Sequence, residues 1–267
     1  ASGIAAGEAA VDVDLFARAI LHWDRARLLT ELRGPAPAGL EPAFTAWVDR
    51  RAAHEPTAYI VGFREFWGLE IAVTPDVLIP RPCTELVVEE AVSLLDGHAG
   101  WRVAEIGTGS GCIAVSVAHS VPGVHIVATD ISAAALAVAR GNAAQFGVGD
   151  RVRFVETSYL DGVEGPFDLL LANPPYVRSG DRPALSRAVR HEPDVALFGG
   201  ETGLRDLTGV LDAATRTLAP GGWMVMEFGY GQEADVRRLV GERPGFRVVR
   251  VRDDIEGIAR TAVITRA

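Results

Sequence analysis

Apolar residues near the start of the chain recur at helical spacing. Val13, Phe16, Ala17 and Ile20 fall at i, i+3, i+4 and i+7, Phe44, Trp47 and Val48 at i, i+3 and i+4, and Gly34-Pro35-Ala36-Pro37 separates the two groups. This predicts short helices divided by breakers. From Ala58 the pattern changes: Tyr59-Ile60-Val61, Phe63 to Trp67 and Leu69 to Val73 are rich in aromatic and branched residues around Gly68. Such segments predict a β-hairpin. A proline-braced connector, Val77-Leu78-Ile79-Pro80-Arg81-Pro82, follows it.

Beyond the connector the helical and strand patterns alternate. Helices are predicted over Glu85 to Leu95, Cys112 to His119, Ala133 to Phe146, Leu204 to Leu218 and Gln232 to Val240. Strands are predicted over Arg102 to Ile106, His125 to Asp130, Val152 to Glu156, Phe167 to Ala172, Trp223 to Phe228, Phe246 to Arg252 and Ile258 to Thr265, with Pro220-Gly221-Gly222 as the stop between helix and strand. Alternation of this kind is the mark of an α/β fold with a mostly parallel sheet covered by helices. The expected organisation is a helical domain over residues 1–56, a hairpin linker over 57–80 and an α/β domain over 81–267. No internal repeat or low-complexity tract interrupts it.

Composition narrows the chemistry. With 48% hydrophobic and 23% charged residues in 267, the chain can bury a sizeable core and is not a disordered polymer. The formal net charge of −9 opposes a protein that coats nucleic acid, because such binding works by neutralising phosphates. Stable nucleic-acid binding is therefore not expected. All 26 basic residues are arginine, so Schiff-base chemistry and a P-loop lysine are excluded. Cys83 and Cys112 are single and far apart, which indicates neither a disulfide framework nor a cysteine zinc site and suits a reducing cytoplasm. The six histidines have no metal-ligand spacing, and no metal is expected. No apolar run approaches the roughly 20 residues that span a bilayer, so no membrane association is expected. The first residue is Ala1, as a processed or shortened N-terminus would leave it.

Two segments carry candidate chemistry. Val103-Ala104-Glu105-Ile106-Gly107-Thr108-Gly109-Ser110-Gly111 is a strand running into a glycine turn and then a helix, at the sheet edge where cofactors bind. A dinucleotide fingerprint would need glycine at 112, where Cys112 stands. Glu105, two positions before Gly107, would repel a pyrophosphate but suits a cofactor with an ammonium and a sulfonium, S-adenosylmethionine. Asp130 ends the next strand, placed to accept from ribose hydroxyls or to cap the helix that follows. The second segment, Asn173-Pro174-Pro175-Tyr176, follows a buried apolar strand. Prolines fix the backbone and remove N–H groups, leaving the Pro174 carbonyl and the Asn173 side-chain oxygen as two rigid acceptors. Together they can hold both hydrogens of a planar –NH2 group, with Tyr176 stacked on it and its face open to a methyl donor.

With these motifs the chain resembles the PrmC/HemK family of methyltransferases. The resemblance covers nearly the whole length: His54-Glu55-Pro56 through Gly62, Arg64-Glu65-Phe66-Trp67-Gly68, Leu78 through Pro80-Arg81-Pro82-Cys83-Thr84-Glu85, the glycine turn, Asn173 to Tyr176, His191-Glu192-Pro193 with Ala196 to Gly200, and Pro220-Gly221-Gly222. It implies a Rossmann-like class I S-adenosylmethionine-dependent methyltransferase domain with a mostly parallel seven-stranded sheet, preceded by a small helical substrate-recognition domain and the hairpin. It implies methyl transfer to the side-chain amide nitrogen of a glutamine, in a Gly-Gly-Gln motif of class I peptide chain release factors, by a cytoplasmic monomer with S-adenosylhomocysteine as product. Asn173, Pro174, Pro175 and Tyr176 are then the catalytic candidates. Glu105, Gly107, Thr108, Gly109, Gly111, Asp130, Ile131, Ser158, Tyr159 and Asn173 are expected at the cofactor, and Phe66, Trp67 and Arg81 at the substrate entrance with Asn173, Pro174 and Tyr176. Cys83 stands where the family carries an acidic residue, Ser158-Tyr159 where an acidic-aromatic pair is usual, and the N-terminal module is short.

Other readings stay open on the residues alone. A small-molecule amine or amide methyltransferase, an enzyme for the exocyclic amine of adenine, and a module that binds the cofactor without turnover share these motifs. Glu89-Glu90 is expected on a solvated helix face, Trp23 and Trp47 in the helical module's core, and Cys112 as a packing residue.

Overall fold

The central strands of the main sheet are buried nearly throughout, residues 103–106 and 169–172 among them, because successive side chains point to opposite faces and both faces are covered. The computed structural model describes residues 3–98 and 100–267. They divide into two units: one holds the described residues up to Phe63 together with Leu185–His191, the other Arg64–Ala184 and Glu192–Ala267.

The first unit contains helices α1 (Ala6–Leu21), α2 (Arg25–Glu31), α3 (Leu40–Ala52) and α4 (Thr57–Val61). Phe16 of α1 is 1% exposed, with the Trp47 and Phe44 rings edge-on at 5.5 and 6.5 Å. Beside this core Arg51 donates to Asp12 Oδ2 at 2.7 Å, and Asp12 Oδ1 accepts from the Thr57 hydroxyl at 2.6 Å. Such a buried ion pair is costly to break, because one partner left alone keeps an uncompensated charge. Tyr59-Ile60-Val61, expected in the hairpin, is helical instead. Pro56 sets its entry, and Gly62, at φ 88°, ends it in the left-handed conformation, the usual proline-before, glycine-after punctuation of a helix.

Strand β1 (Phe63–Phe66), which crosses the boundary between the units at Phe63, and β2 (Leu69–Ala72) form the hairpin. Its two-residue turn has φ 53° at Trp67 and 71° at Gly68, the doubly positive form that matches strand twist. A tryptophan tolerates it because its amide donates to Glu85 Oε1 and its indole N–H to Ser120 Oγ, both at 2.8 Å.

The main sheet has the order β5-β4-β3-β6-β7-β9-β8 among the described residues. Here β3 is Arg102–Ile106, β4 His125–Asp130, β5 Val152–Glu156, β6 Phe167–Ala172, β7 Leu218–Glu227, β8 Phe246–Asp253 and β9 Ala259–Arg266. All neighbours are parallel except the pairs made by β9. Helices α5 (Glu85–Leu95), α6 (Cys112–Ser120), α7 (Ala133–Gln145), α8 (Asp194–Leu197), α9 (Arg205–Thr217) and α10 (Glu233–Gly241) complete the second unit. Leu169 and Leu171 of β6 pack into one apolar cluster with Val87, Ile113 and Val117, while Leu170 and Ala172 pack into the other with Leu207, Val210 and Leu211.

Two expectations need correcting. Strand β7 begins at Leu218, before Pro220-Gly221-Gly222: the step from Phe167 to Leu169 on β6 is matched by the longer step from Leu218 to Trp223. The breakers therefore form a bulge inside the strand, which is where proline and glycine are tolerated in a sheet. Glu90 does not lie on a solvated face. It is 2% exposed, and Arg250 and Arg252 of β8 both pair with it, while Glu89 remains exposed and pairs with Arg252.

Candidate active site

At the sheet's carboxyl edge the connections leave β3 and β6 in opposite directions, opening a crevice between these neighbours. A cavity of about 330 Å³ occupies it, lined by the glycine turn, the ends of β4 and β6, the connector residues Val77, Leu78 and Pro80, and residues 195–196 and 205–206. Its volume is in the range of small-molecule sites, roughly 300–1,000 Å³.

Gly107 and Gly109 have φ of 73° and 55°, a conformation that disfavours any side chain. The amides of Gly107 and Thr108 both donate to the Thr129 carbonyl at 2.9 Å, and that of Gly109 to Asp130 Oδ2 at 2.8 Å. At these positions the turn spends its N–H groups on the protein, so they do not cradle an anion. Gly111 is different. It does not line the cavity; a Cβ there would come within 3.0 Å of Ala139 Cβ on α7, so its absence lets two helices approach.

Glu105, at 1% exposure, faces the cavity from the end of β3. Its Oε2 accepts from Thr108 Oγ1 at 2.7 Å and from the Ala114 amide at 3.1 Å, while Oε1 is buried without a hydrogen-bond partner. Burial pushes this carboxyl up to about 7 against the pull of those two bonds, and the Asp130 charge adds to the rise. A buried acceptor left alone costs about 1–3 kcal/mol, which a cationic donor would recover. Asp130 takes the Ser132 amide on Oδ1 at 2.9 Å, and Ser132, not Asp130, caps α7 through the Ala135 amide. Ile131, Ser158 and Tyr159 line the cavity with Asp130. Tyr159 has φ 48°, donates its hydroxyl to Asp206 Oδ1 at 3.0 Å, and lies so close over Gly209 that a Cβ there would be 2.2 Å from its ring. Two carboxylates, a serine hydroxyl and an aromatic ring lining one cavity fit a cationic nucleoside.

Asn173 and Pro174 follow β6 and line the same cavity with Pro175. Asn173 Nδ2 donates to Thr84 Oγ1 at 3.1 Å, and the Thr84 hydroxyl donates to Glu227 Oε2 at 2.6 Å. Tyr176 does not line the cavity. Its hydroxyl donates to Glu227 Oε1 at 3.1 Å and its ring packs against the apolar cluster of β6, β7 and α9. Phe66 and Trp67 lie away from the cavity as well, in the cluster with Val87 and Ile113. They anchor the hairpin, for which their apolar area is the reason. Arg81 is bound to Glu192 at 2.6 Å, and Glu192 also accepts the Ile79 amide at 3.0 Å, so Arg81 braces the connector that walls the cavity.

Sequence reasoning missed Thr84, Asp206 and Glu227. A signal existed for Glu227, the lone carboxylate in the apolar run Trp223 to Phe228; Asp206, on an amphipathic helix, gave none.

Sheet order, glycine turn and Asn-Pro-Pro-Tyr edge define a class I methyltransferase. A family model described as Methyltransferase small domain matches residues 84–197, and one described as PrmC N-terminal domain matches 3–62. The Release factor glutamine methyltransferase of Bordetella pertussis is 42% identical over 252 residues, 94% of this chain and 92% of its own. That of Bradyrhizobium diazoefficiens is 44% identical over 219 residues, covering 80% of this chain and 71% of its own. The chain belongs to the family of release factor glutamine methyltransferases. Among solved structures, the ribosomal protein L11 methylase of Lactobacillus delbrueckii subsp. bulgaricus shares the fold with a TM-score of 0.54 at 21% identity, over 73% of this chain and 84% of that one. Among the described residues no helix is long and apolar enough to cross a membrane, and no three His, Cys, Asp or Glu side chains are grouped to hold a metal ion.

Proposed function

We propose that this protein transfers a methyl group from S-adenosylmethionine to the side-chain amide nitrogen of the glutamine in the Gly-Gly-Gln motif of a class I release factor. The observation that carries the reading is the pairing, in one cavity, of Asn173 and Pro174 with the carboxylates of Glu105 and Asp130. When bound, S-adenosylmethionine supplies an electrophilic methyl group on a sulfonium. Glu105 binds the cationic amino end, Asp130 accepts from the ribose hydroxyls, and Gly107, Thr108, Gly109, Ile131, Ser158 and Tyr159 shape the nucleoside's pocket. Asn173 Oδ1 and the Pro174 carbonyl hold the two amide hydrogens, so the nitrogen is oriented without being deprotonated first, and after methylation it loses one N–H proton to solvent. An amide nitrogen is a weak nucleophile, and fixed acceptors help in two ways: they set the approach and stabilise positive charge developing on nitrogen. Pro175 stiffens this edge, and Tyr176 holds it from behind through Glu227.

The helical unit is proposed to recognise the protein substrate, and the enzyme to act as a cytoplasmic monomer without stable nucleic-acid binding, in keeping with the net charge of −9. Labelled methyl transfer to a purified release factor tests the reading, with a Gln→Ala change in its Gly-Gly-Gln loop as control. Incorporation lost in the control is expected; equal incorporation in both overturns the choice of atom. Asn173→Ala should lower kcat by roughly 10²–10³-fold, the usual cost of removing one fixed polar group at developing charge.

A further inference from the structure

The Asn173 amide can present either its oxygen or its NH2 to the cavity, and only the oxygen can accept from an –NH2 group. The side chains around it decide which. Glu227 is the last residue of β7, and because Ala172 pairs with Met226, Asn173 and Glu227 are the next residues on adjacent parallel strands. Glu227 is wholly buried. Three donors converge on it: the Thr84 hydroxyl at 2.6 Å on Oε2, and on Oε1 the Tyr176 hydroxyl at 3.1 Å and the Cys83 thiol at 3.8 Å. Three donors fit the ionised carboxylate, which only accepts, so Thr84 spends its single proton on Glu227. The Thr84 oxygen is then left with lone pairs, and its contact with Asn173, 3.1 Å from Nδ2, is a bond that only the NH2 end of the amide can make.

We propose that Thr84 and Glu227 are positioning residues, which fix the direction of the Glu227–Thr84–Asn173 hydrogen-bond chain and so hold Asn173 Oδ1 as the acceptor for the substrate amide. The inference rests on the proposed function for its purpose, though not for its geometry. The Thr84 hydroxyl is the hydrogen-bond partner that sets the amide's orientation, and a flipped amide would meet the incoming –NH2 with its own donors.

The test uses the full-length protein and two kinds of measurement. The first needs no substrate: the side-chain NH2 signal of Asn173 in 15N spectra, assigned with Asn173→Ala, should be slow to exchange in the wild type and in Thr84→Ser and should lose that protection in Thr84→Val. The second is kinetic. Thr84→Val should lower kcat about 10- to 100-fold, the range of one charge-linked hydrogen bond, with S-adenosylmethionine Kd and release-factor KM within about twofold, and Thr84→Ser should restore most of it. In the Asn173→Ala background, Thr84→Val should add nothing, because the relay acts only through Asn173. Unchanged protection in Thr84→Val, or a Thr84→Ser variant as impaired as Thr84→Val, overturns the relay. So does a double variant slower by the product of the single effects. Should Thr84→Val not fold, Glu227→Gln reads the same chain, since its NH2 can reverse the direction; wild-type protection and kcat there would equally defeat the proposal. If wild-type protein transfers no methyl group to the release factor while the spectra behave as expected, the assigned substrate fails and the relay stands.

Discussion

Glu105 and Glu227 are the same residue type at the carboxyl ends of two parallel strands, β3 and β7, and both are buried at 1% exposure or less. Their surroundings differ in one respect. Glu227 has donors on both oxygens, all from the protein, whereas Glu105 keeps Oε1 without a partner. Burial pushes both carboxyls up. The Glu227 set offsets that with the hydroxyls of Thr84 and Tyr176, the nearby Arg260 charge and the Cys83 thiol. Glu105 has only Thr108 and Ala114. A saturated buried carboxylate organises its neighbours, and an unsaturated one is held ready for a ligand. On the proposed function, the cofactor half of the site is thus left incomplete by the chain, and the half facing the methyl acceptor is completed by the protein's own donors.

The sharpest way to break this contrast is to neutralise each glutamate in turn. Glu105→Gln should weaken S-adenosylmethionine binding roughly 10- to 100-fold, the worth of a charge-assisted hydrogen bond, while Glu227→Gln leaves Kd within about twofold. Isothermal titration decides, and equal losses would erase the distinction.

A second effect follows from pH. Glu105 titrates at about 7 in the folded protein because burial disfavours its charge, and a cation prefers the ionised form, so binding must expel a proton below that pH. The Kd should tighten by up to about tenfold per pH unit as pH rises from 5.5 toward 7, and less above it. The same raised value makes the free protein's stability contribution from this group fall as pH climbs from the unfolded carboxylate range toward 7. Measuring proton release in buffers of different ionisation enthalpy checks the sign, and Glu105→Gln should abolish it.

Gly111→Ala separates packing from binding within the donor half. The φ of 80° and the 3.0 Å approach to Ala139 should cost about 1–3 kcal/mol of stability, seen as a lower Tm, with S-adenosylmethionine Kd little changed once the protein is folded. A preserved Tm with lost binding would return Gly111 to the cofactor site.

The smallest expected effect is at Cys83. Burial and the Glu227 charge push its thiol up to about 11, so it stays protonated and weakly bonded at 3.8 Å. Cys83→Ala should change kcat by less than about twofold, sulfur being a weak donor. A larger loss would show that the thiol matters to the charge state of Glu227.

How far the site could be read in advance depended on how local its cause was. Glu105, Asp130, Asn173 and the glycine turn each stand at a strand end, so the alternation of strand and helix segments with glycine or proline at the strand end was enough to place them at one edge. Phe66 and Trp67 were misplaced because an aromatic pair in a hairpin reads the same whether it faces a cavity or a core; Val87, Ile113 and their neighbours claimed it. Glu90 was misread because its partners Arg250 and Arg252 lie on β8, far along the chain. The helix at Tyr59-Ile60-Val61 shows the same limit at short range, where a few branched residues suit either state and Pro56 and Gly62 settled it.

The alternation of strand and helix, the glycine and proline punctuation at the sheet edge, and the residue types available there are local properties, because they depend on periodicity and backbone sterics within a few residues. Which groups meet came from folding. It set Thr84 between Asn173 and Glu227, left one oxygen of Glu105 unpartnered, and turned Tyr176 inward. Hydrogen-bond direction depends on the whole set of donors and acceptors in contact, and no local pattern in the chain records that set.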